Sequence, residues 1–188
     1  AEVIGLGLRP IIDGKQALVS TSDLSRPAIF EAAERAVAMA RALPADDHCF
    51  LADHSVGIES LQLDLSDVEE PSEDLLWRAV IEAEAGILAQ GERISSDGAE
   101  ISWSSSAGIL ATSKGFFGEF HRTKVGLGAS AIATDGALQE RDYDVASDIH
   151  FDALPSAYEI GKAAAQRAGR RLGARKITTI EAPIVFER

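Results

Sequence analysis

Serine and histidine are the residues of this 188-residue chain whose types first suggest catalysis. Ser104, Ser105 and Ser106 run together, and His121 follows them in the same Gly- and Ser-rich stretch. A hydrolytic nucleophile needs a serine beside a base and a third group that orients the base. A run of serines between strands is more typical of a turn whose hydroxyls bond the nearby backbone. We therefore predict a turn and assign no catalytic residue.

Cysteine and histidine suggest a second kind of chemistry, zinc binding, near residue 50. Cys49 lies beside His48 and close to His54. Zinc sites need three or four ligands at short, recurrent spacings, and the other histidines, His121 and His150, are isolated. We therefore predict no metal site among these residues.

Four aspartates that follow Arg141 suggest a calcium loop. They are Asp142, Asp144, Asp148 and Asp152. Calcium loops alternate carboxylates around a turn that a glycine permits, and this segment has no glycine. The pattern favours the polar end of a strand in which Arg141 pairs with a neighbouring carboxylate, a contact worth about 0–1 kcal/mol. We predict that the chain itself binds no cofactor.

Residues 126–131 spell GxGxxA, the outline of a dinucleotide fingerprint. That motif works only where a strand turns into a helix, so that amide groups face a pyrophosphate. Here Val125, Leu127, Ala129 and Ala131 alternate with smaller or polar residues, which is typical of a strand. The whole stretch 100–144 is predicted to be β-sheet with tight turns.

Strands and helices must position any site within this chain. Residues 3–20 read as a hairpin with a turn at Asp13 and Gly14, and Pro10 indicates an edge or a bulge. Residues 48–65 form a mixed segment with at most two short strands. A strand is predicted over 177–186, where Pro183 again indicates an edge or a bulge.

Three helices carry clear start and stop signals. The first has Pro27 in its first turn and ends near Leu43. The second begins at the N-cap Ser72 and ends by Gly91, and the third begins with a capping box. That box consists of Ser156 and Glu159, and Gly173 supplies the stop. The order of elements predicts an α+β fold, an antiparallel or mixed β-sheet layered against about three α-helices.

Composition excludes several classes of function. The formal charge is −12, which argues against a nucleic-acid partner, and the basic cluster at 167–176 is typical of a helix end. Cys49 is the single cysteine, so no internal disulfide can form. No window approaches the ~20 apolar residues of a membrane span, and no signal peptide is visible. We expect a cytoplasmic protein without a membrane partner.

Several segments resemble, in order, the amino-terminal part of the PmbA/TldD family, which includes proteins described as modulators of DNA gyrase and as peptidases or peptidase subunits. The segments are residues 5–9, 20–25, 35–41, 51–53, 63–65, 111–113, 115–116, 139–143, 171–176 and 182–186. The chain departs from the family pattern at Pro10 and Glu140. The resemblance implies that residues 1–188 are the amino-terminal region of a longer protein, a fragment that lacks the carboxy-terminal domain.

The family has one branch that resembles zinc metallopeptidases through an HExxxH motif and a second branch that lacks the motif and pairs with the first. The RDYD segment at 141–144 and the PIVFER ending at 183–188 resemble the second, PmbA/TldE-like branch. In the first branch the motif lies beyond the equivalent of residue 186, so the resemblance assigns no zinc ligand to this chain.

The resemblance implies a PmbA-like subunit of a cytoplasmic peptidase complex that acts on peptides or unfolded proteins. Its partner would be a TldD-like homologous subunit or a second copy of itself, and zinc would come from the partner. Local chemistry and the resemblance together select Arg141, Asp142 and Tyr143 as candidate contacts to partner or substrate. Two alternatives stay open: a non-enzymatic module that regulates a partner protein, and a full-length chain that itself carries HExxxH.

Overall fold

The computed structural model describes residues 2–52, 63–176 and 178–186. The chain forms two compact units, one of Ala1–Leu61 with Ala111–Phe117 and one of Gln62–Leu110 with Gly118–Arg188. Each unit combines antiparallel strands with helices, which confirms the α+β class.

The first unit begins with two nested pairs of antiparallel strands. The strands are β1 (Leu6–Leu8), β2 (Ile11–Ile12), β3 (Lys15–Gln16) and β4 (Val19–Thr21). The outer pair is β1 with β4, and the inner pair is β2 with β3. Asp13 and Gly14 form the predicted turn, with φ values of 51° and 71°. Pro10 lies between β1 and β2, where its missing N–H costs no ladder bond.

Helix α1 (Arg26–Ala42) covers this small sheet, and Pro27 lies in its first turn as predicted. Its buried residues are Ala32, Ala36 and Ala40, which are four apart and therefore share one side of the helix. Ala32 and Ala36 pack with Val19 of β4. The small side chains allow the helix to lie close to the strands.

The second unit is built on a three-stranded sheet with the order β5–β6–β7. The strands are β5 (Ile94–Ala111), β6 (Phe117–Asp135) and β7 (Leu138–Asp148). Strands β6 and β7 are antiparallel, and Gly136, with φ of 61°, lies in the turn between them. The sheet predicted over 100–144 is confirmed, and the GxGxxA motif lies within β6. Six alternate residues of β6 are buried, namely Thr123, Val125, Leu127, Ala129, Ala131 and Ala133.

Helices α2 (Glu73–Leu88) and α3 (Ala157–Arg171) confirm the two remaining helix predictions. The hydroxyl of Ser72 accepts a hydrogen bond from the backbone N–H of Leu75, as an N-cap should. A single 3₁₀ turn, Phe151–Ala153, precedes α3. Gly173 follows α3 with φ of 78°, which is the predicted left-handed stop.

The capping box predicted for α3 is wrong. Ser156 makes no side-chain cap bond; its hydroxyl donates instead to Glu82 of α2, at 3.3 Å. Glu159 accepts from Lys162 at 2.9 Å, so both side chains of the box have other partners. The contact with α2 is tertiary, and the local spacing could not reveal it.

The strand predicted over 177–186 is also wrong for residues 178–186, which contain no strand. Ile184, Val185 and Phe186 are exposed. An apolar run becomes a strand only beside a sheet edge that bonds to it, and no described residue pairs with this segment. Of the mixed segment 48–65, residues 48–52 and 63–65 contain no strand, and the rest lies outside the described residues.

The core of the second unit is a layer of small side chains between the sheet and the two helices. It contains Ala79, Ala83, Ile87, Leu127, Ala129, Ala131, Ala133, Ala157, Ile160, Ala164, Ala165 and Ala168. The helices touch through glycine. A Cβ atom on Gly161 would overlap the carbonyl oxygen of Ala83, and one on Gly86 would overlap that of Tyr158. Glycine at both positions therefore sets the distance between α2 and α3.

A polar cluster fastens the segment before α2 to the end of the sheet. Thr123 is only 1% exposed; its hydroxyl donates to the carbonyl of Ile149 and accepts from the N–H of Asp67. The Asp67 carboxylate accepts from the N–H of Phe151 at 2.9 Å. His150 lies 3.7 Å from the same carboxylate. The cluster satisfies backbone groups that strands and helices leave unpaired.

We predict that Gly161→Ala lowers the free energy of unfolding by at least ~1–3 kcal/mol, because the added methyl meets backbone that cannot rotate away. Gly169→Ala on the same helix is the matched control. Nothing lies within 4 Å of its added Cβ, so it should raise stability by about 0.4–1 kcal/mol. Urea unfolding followed by circular dichroism measures both variants. Equal effects of the two substitutions would contradict the close helix contact.

A second prediction concerns acid stability. The pKa of Asp67 is lowered, chiefly by the hydrogen bond from the Phe151 N–H, although partial burial opposes the shift. A carboxyl group whose folded pKa lies below the unfolded value of 3.8 stabilises the fold above that pH. This contribution disappears as the pH falls through the lowered pKa.

Asp67→Ala should therefore lower the melting temperature at pH 7, and its difference from the parent protein should narrow as the pH falls below about 4. Asp47→Ala, an exposed aspartate with no side-chain partner in the described chain, is the control and should show neither effect. Melting temperatures between pH 7 and pH 3 give the answer. A constant difference over that range would show that the Asp67 charge contributes nothing.

Candidate functional site on the open face of the sheet

Helices α2 and α3 cover one face of the three-stranded sheet, and a shallow cleft lies on the other. Its volume is about 360 Å³. Tyr143 and Val145 of β7 stand on this face with 59% and 64% of their surface exposed. The cleft is lined by Asp97, Gly98, Ala99, Glu100, Gly128, Ala129, Ser130, Arg141, Tyr143 and Val145.

Gly98 brings Asp97 to this face. Its φ is 115°, a conformation that favours glycine, and the alternation of burial along β5 changes phase there. Ile94 packs on the helix side before the change, and Ala99 does so after it. A β-bulge produces this shift by one residue. Asp97 consequently lines the same cleft as Glu100, although the two are three positions apart.

Asp97, Ser130 and Arg141 form one hydrogen-bonded group across all three strands. The Nε of Arg141 lies 2.7 Å from Asp97 Oδ2 and donates to Ser130 Oγ at 3.0 Å. The Ser130 hydroxyl donates to Asp97 Oδ2 at 3.1 Å. These contacts use the Nε of the guanidinium, and the Arg141 side chain as a whole is 68% exposed. The predicted pairing of Arg141 with a neighbouring carboxylate is confirmed.

Gly128 of β6 forms the floor of the cleft. A Cβ at this position would lie 3.4 Å from Val145 Cγ1 and 3.8 Å from Glu100 Cγ. Side chains from β5 and β7 therefore both lie next to the glycine. A larger residue here would fill the space between them, so the glycine spacing of β6 shapes the cleft.

The three residues selected from the sequence separate in the structure. Arg141 and Tyr143 line the cleft together, because residues two apart on a strand share a face. Asp142 is on the opposite face, where Arg171 Nη1 lies 3.5 Å from its Oδ2. Asp142 Oδ1 also accepts from the backbone N–H of Tyr143, at 2.8 Å.

The covered face of β7 carries carboxylates that pair with α3. Glu140 lies 3.4 Å from Arg171, and Asp144 lies 3.2 Å from Arg167. These pairs attach the end of α3 to the edge strand. The prediction that the basic cluster has a structural role is confirmed for these two arginines.

Of the residues that line the cleft, sequence reasoning selected only Arg141 and Tyr143. The missed residues with side chains larger than a methyl group are Asp97, Glu100, Ser130 and Val145. A signal for two of them was present, since a glycine at position 98 inside a strand often marks a bulge. The contact of β5 residues with β7 across β6 is tertiary and has no local signal.

The serine cluster is not a turn, contrary to the prediction. Ser104, Ser105 and Ser106 lie within β5, and the first and third donate to carbonyls of β6. Ser105 Oγ lies 2.8 Å from Nε2 of His121, so the pair considered from the sequence does form. Both side chains are exposed, and within the described chain no third group bonds the imidazole. The pair therefore lacks the orienting group of a catalytic triad.

The described residues do not fit a zinc site. Among them, no group of three or more His, Cys, Asp or Glu side chains is placed to hold a metal ion. Cys49 is buried with its thiol free, and His54 lies outside the described residues. The aspartates considered for calcium diverge, since Asp142 faces α3 and Asp148 bonds the backbone N–H groups of the two residues after it. In the part of the chain that the structure describes, no helix has the length and apolarity to cross a membrane.

Comparison with known protein families identifies two adjacent domains. The model of the PmbA/TldA metallopeptidase central domain matches residues 66–172, and that of PmbA/TldA metallopeptidase domain 1 matches residues 1–40. The cleft lies within the first match.

Individual relatives agree with the family models. The chain is 29% identical to a metalloprotease PmbA homolog of Haemophilus influenzae and 26% identical to metalloprotease PmbA of Escherichia coli O157:H7. Each match covers 96% of this chain and 41% of the relative, so the chain spans less than half the length of these proteins.

Solved structures show the same fold. A candidate modulator of DNA gyrase from Bacteroides thetaiotaomicron superimposes with a TM-score of 0.76 at 26% identity, covering 92% of this chain and 40% of that one. TldE from Thermococcus kodakarensis has a TM-score of 0.58 at 15% identity, covering 87% of this chain and 37% of its own. The second likeness concerns the fold alone.

We predict that Arg141→Ala and Tyr143→Ala each change the free energy of unfolding by less than ~1 kcal/mol, because exposed ion pairs and surface side chains contribute little. Thr123→Val is the contrasting variant. It leaves the Asp67 N–H and the Ile149 carbonyl without their buried partner and should cost about 1–3 kcal/mol. Denaturant unfolding compares the three. A large loss from Arg141→Ala would assign the cleft a structural role.

Proposed function

Because the PmbA/TldA central-domain model matches more than half of it, the chain belongs to the PmbA/TldD family, and we propose that it is the amino-terminal part of a PmbA-like subunit of a cytoplasmic peptidase complex. Its role is to bind peptides or unfolded protein segments. A TldD-like homologous subunit, or a second copy of the full-length protein, completes the complex. The observation that carries the proposal is the cleft formed by Arg141 and Tyr143 on the open face of the sheet.

The edge position of β7 supports peptide binding. In an antiparallel pair, backbone N–H groups point alternately toward the neighbouring strand and away from it. The N–H of Tyr143 is bonded by the Asp142 carboxylate, which places it on the outer edge of the sheet. An extended peptide that pairs with this edge directs alternate side chains toward the cleft. A carbonyl of the bound peptide takes the place of the Asp142 carboxylate at this N–H, so that Tyr143 offers a backbone contact and a side-chain contact to the same ligand.

The side chains of the described residues support separate roles for the two subunits, substrate binding in one and hydrolysis in the other. Hydrolysis by a metallopeptidase needs the metal, an activated water and a base together. Since the described residues do not fit a zinc site, we derive no hydrolytic step from them. In this proposal the partner supplies zinc and the base, and this chain holds the substrate.

A second candidate is a non-enzymatic module that regulates a partner protein. The structural relative from Bacteroides thetaiotaomicron is described as a candidate modulator of DNA gyrase, which favours this alternative. The outer edge of β7 can bind a segment of a folded partner in the same way as a peptide. The identity of the partner and the presence of peptide cleavage separate the two functions.

The test uses the full-length protein, tagged and purified from its own cells with its bound partners. We expect a homologous chain with an HExxxH motif to copurify, and the complex to cleave a fluorogenic peptide of unfolded sequence. Arg141→Ala and Tyr143→Ala should raise KM about tenfold and leave kcat unchanged. This change corresponds to a loss of ~1.4 kcal/mol of binding free energy that the bound substrate and the transition state share. Arg122→Ala, an exposed arginine on β6 outside the cleft, is the matched control and should change neither constant.

Two results would refute the proposal. One is stoichiometric zinc binding and peptide cleavage by the 188-residue chain alone. The other is normal KM for both cleft variants in the assembled complex. Copurification of an unrelated protein without peptide cleavage would support the regulatory alternative.

A further inference from the structure

The charges of the cleft do not cancel. Asp97 and Arg141 form an ion pair at 2.7 Å and offset each other. Glu100 is the other charged residue of the lining, and its carboxylate has no hydrogen bond or ion pair within the described chain. The cleft therefore carries one net negative charge, and that charge is available to a ligand.

The surroundings of Glu100 are apolar on one side. Its side chain lies against the floor at Gly128, and Val145 approaches the same glycine from the opposite strand. Tyr143 adds an exposed aromatic ring to the lining. A carboxylate beside an aliphatic and an aromatic side chain matches a long side chain with an apolar stem and a cationic end.

We propose that the cleft binds a lysine or arginine side chain of a peptide, with the cationic group on Glu100 and the stem against Tyr143 and Val145. This inference rests on the proposed function, since it names the class of peptide that the site selects. The Asp97–Arg141 pair lines one wall of the cleft and contributes no net charge.

The net charge of the whole chain also favours a cationic ligand. A formal net charge of −12 attracts cationic peptides and repels acidic ones at moderate ionic strength. The cleft volume of about 360 Å³ is at the lower end of the range of ligand sites, roughly 300–1,000 Å³, so one side chain is a suitable occupant.

The experiment measures the affinity of three labelled peptides for the full-length protein by fluorescence anisotropy. The peptides are identical except at one central position, which is lysine, norleucine or glutamate. We expect the lysine peptide to bind at least ~10-fold more tightly than the glutamate peptide, and added salt to reduce the difference. Norleucine, which keeps the stem and loses the charge, should lie between them.

Substitution of Glu100 tests the assignment of the charge. Glu100→Gln should lower the affinity for the lysine peptide to near the affinity for the norleucine peptide. Glu100→Lys should reverse the order, so that the glutamate peptide binds more tightly than the lysine peptide. Glu92→Gln makes the same change of charge at an exposed residue outside the cleft and should leave the preference unchanged.

The outcomes separate this inference from the proposed function. If Arg141→Ala and Tyr143→Ala weaken all three peptides while Glu100→Gln keeps the lysine preference, the cation site is wrong and the peptide cleft stands. If no peptide binds, or no cleft variant alters binding, both are wrong. Equal effects of Glu100→Gln and Glu92→Gln would trace the preference to total charge and overturn the specific site.

Discussion

The second unit depends on the contact between α2 and α3 at Gly86 and Gly161. Without side chains at these two positions, the helices approach until backbone meets backbone. Small residues such as Ala83 and Ala164 then suffice to fill the space beneath them. Two thin, closely packed helices cover only one side of the sheet, and this arrangement leaves the opposite side to form a cleft.

Strand β7 has one face that packs against α3 and another that lines the cleft. Glu140, Asp142 and Asp144 face α3 and pair with arginines, so they attach the helix to the sheet edge. Its odd-numbered residues, including Arg141 and Tyr143, face the cleft and contact little of the core. Because a strand alternates its faces with every residue, one short segment can serve both purposes. Substitutions for binding studies can then be made with little effect on folding.

The proposed peptide site agrees with the family to which the chain belongs. The relatives are described as metalloproteases, yet they are more than twice as long as this chain. This chain supplies a sheet edge and a cleft in which Arg141 pairs with Asp97 and the carboxylate of Glu100 has no partner among the described residues. A substrate-binding function needs only these features, whereas hydrolysis requires ligands that the described residues do not bring together.

Local sequence signals determined the three helices, the turn at Gly14 and the strand character of the GxGxxA motif, because helix start and stop residues, positive φ and alternation act between near neighbours. Tertiary structure decided the rest. The hydroxyl of Ser156 donates to Glu82, residues 178–186 pair with no described strand, and the serine cluster lies in a strand. Of the site, Arg141 and Tyr143 were predictable, whereas Asp97 and Glu100 were not. Their place in the cleft depends on the bulge at Gly98 and on contacts across β6. Contacts between residues that are far apart in the sequence exist only after the sheet has formed.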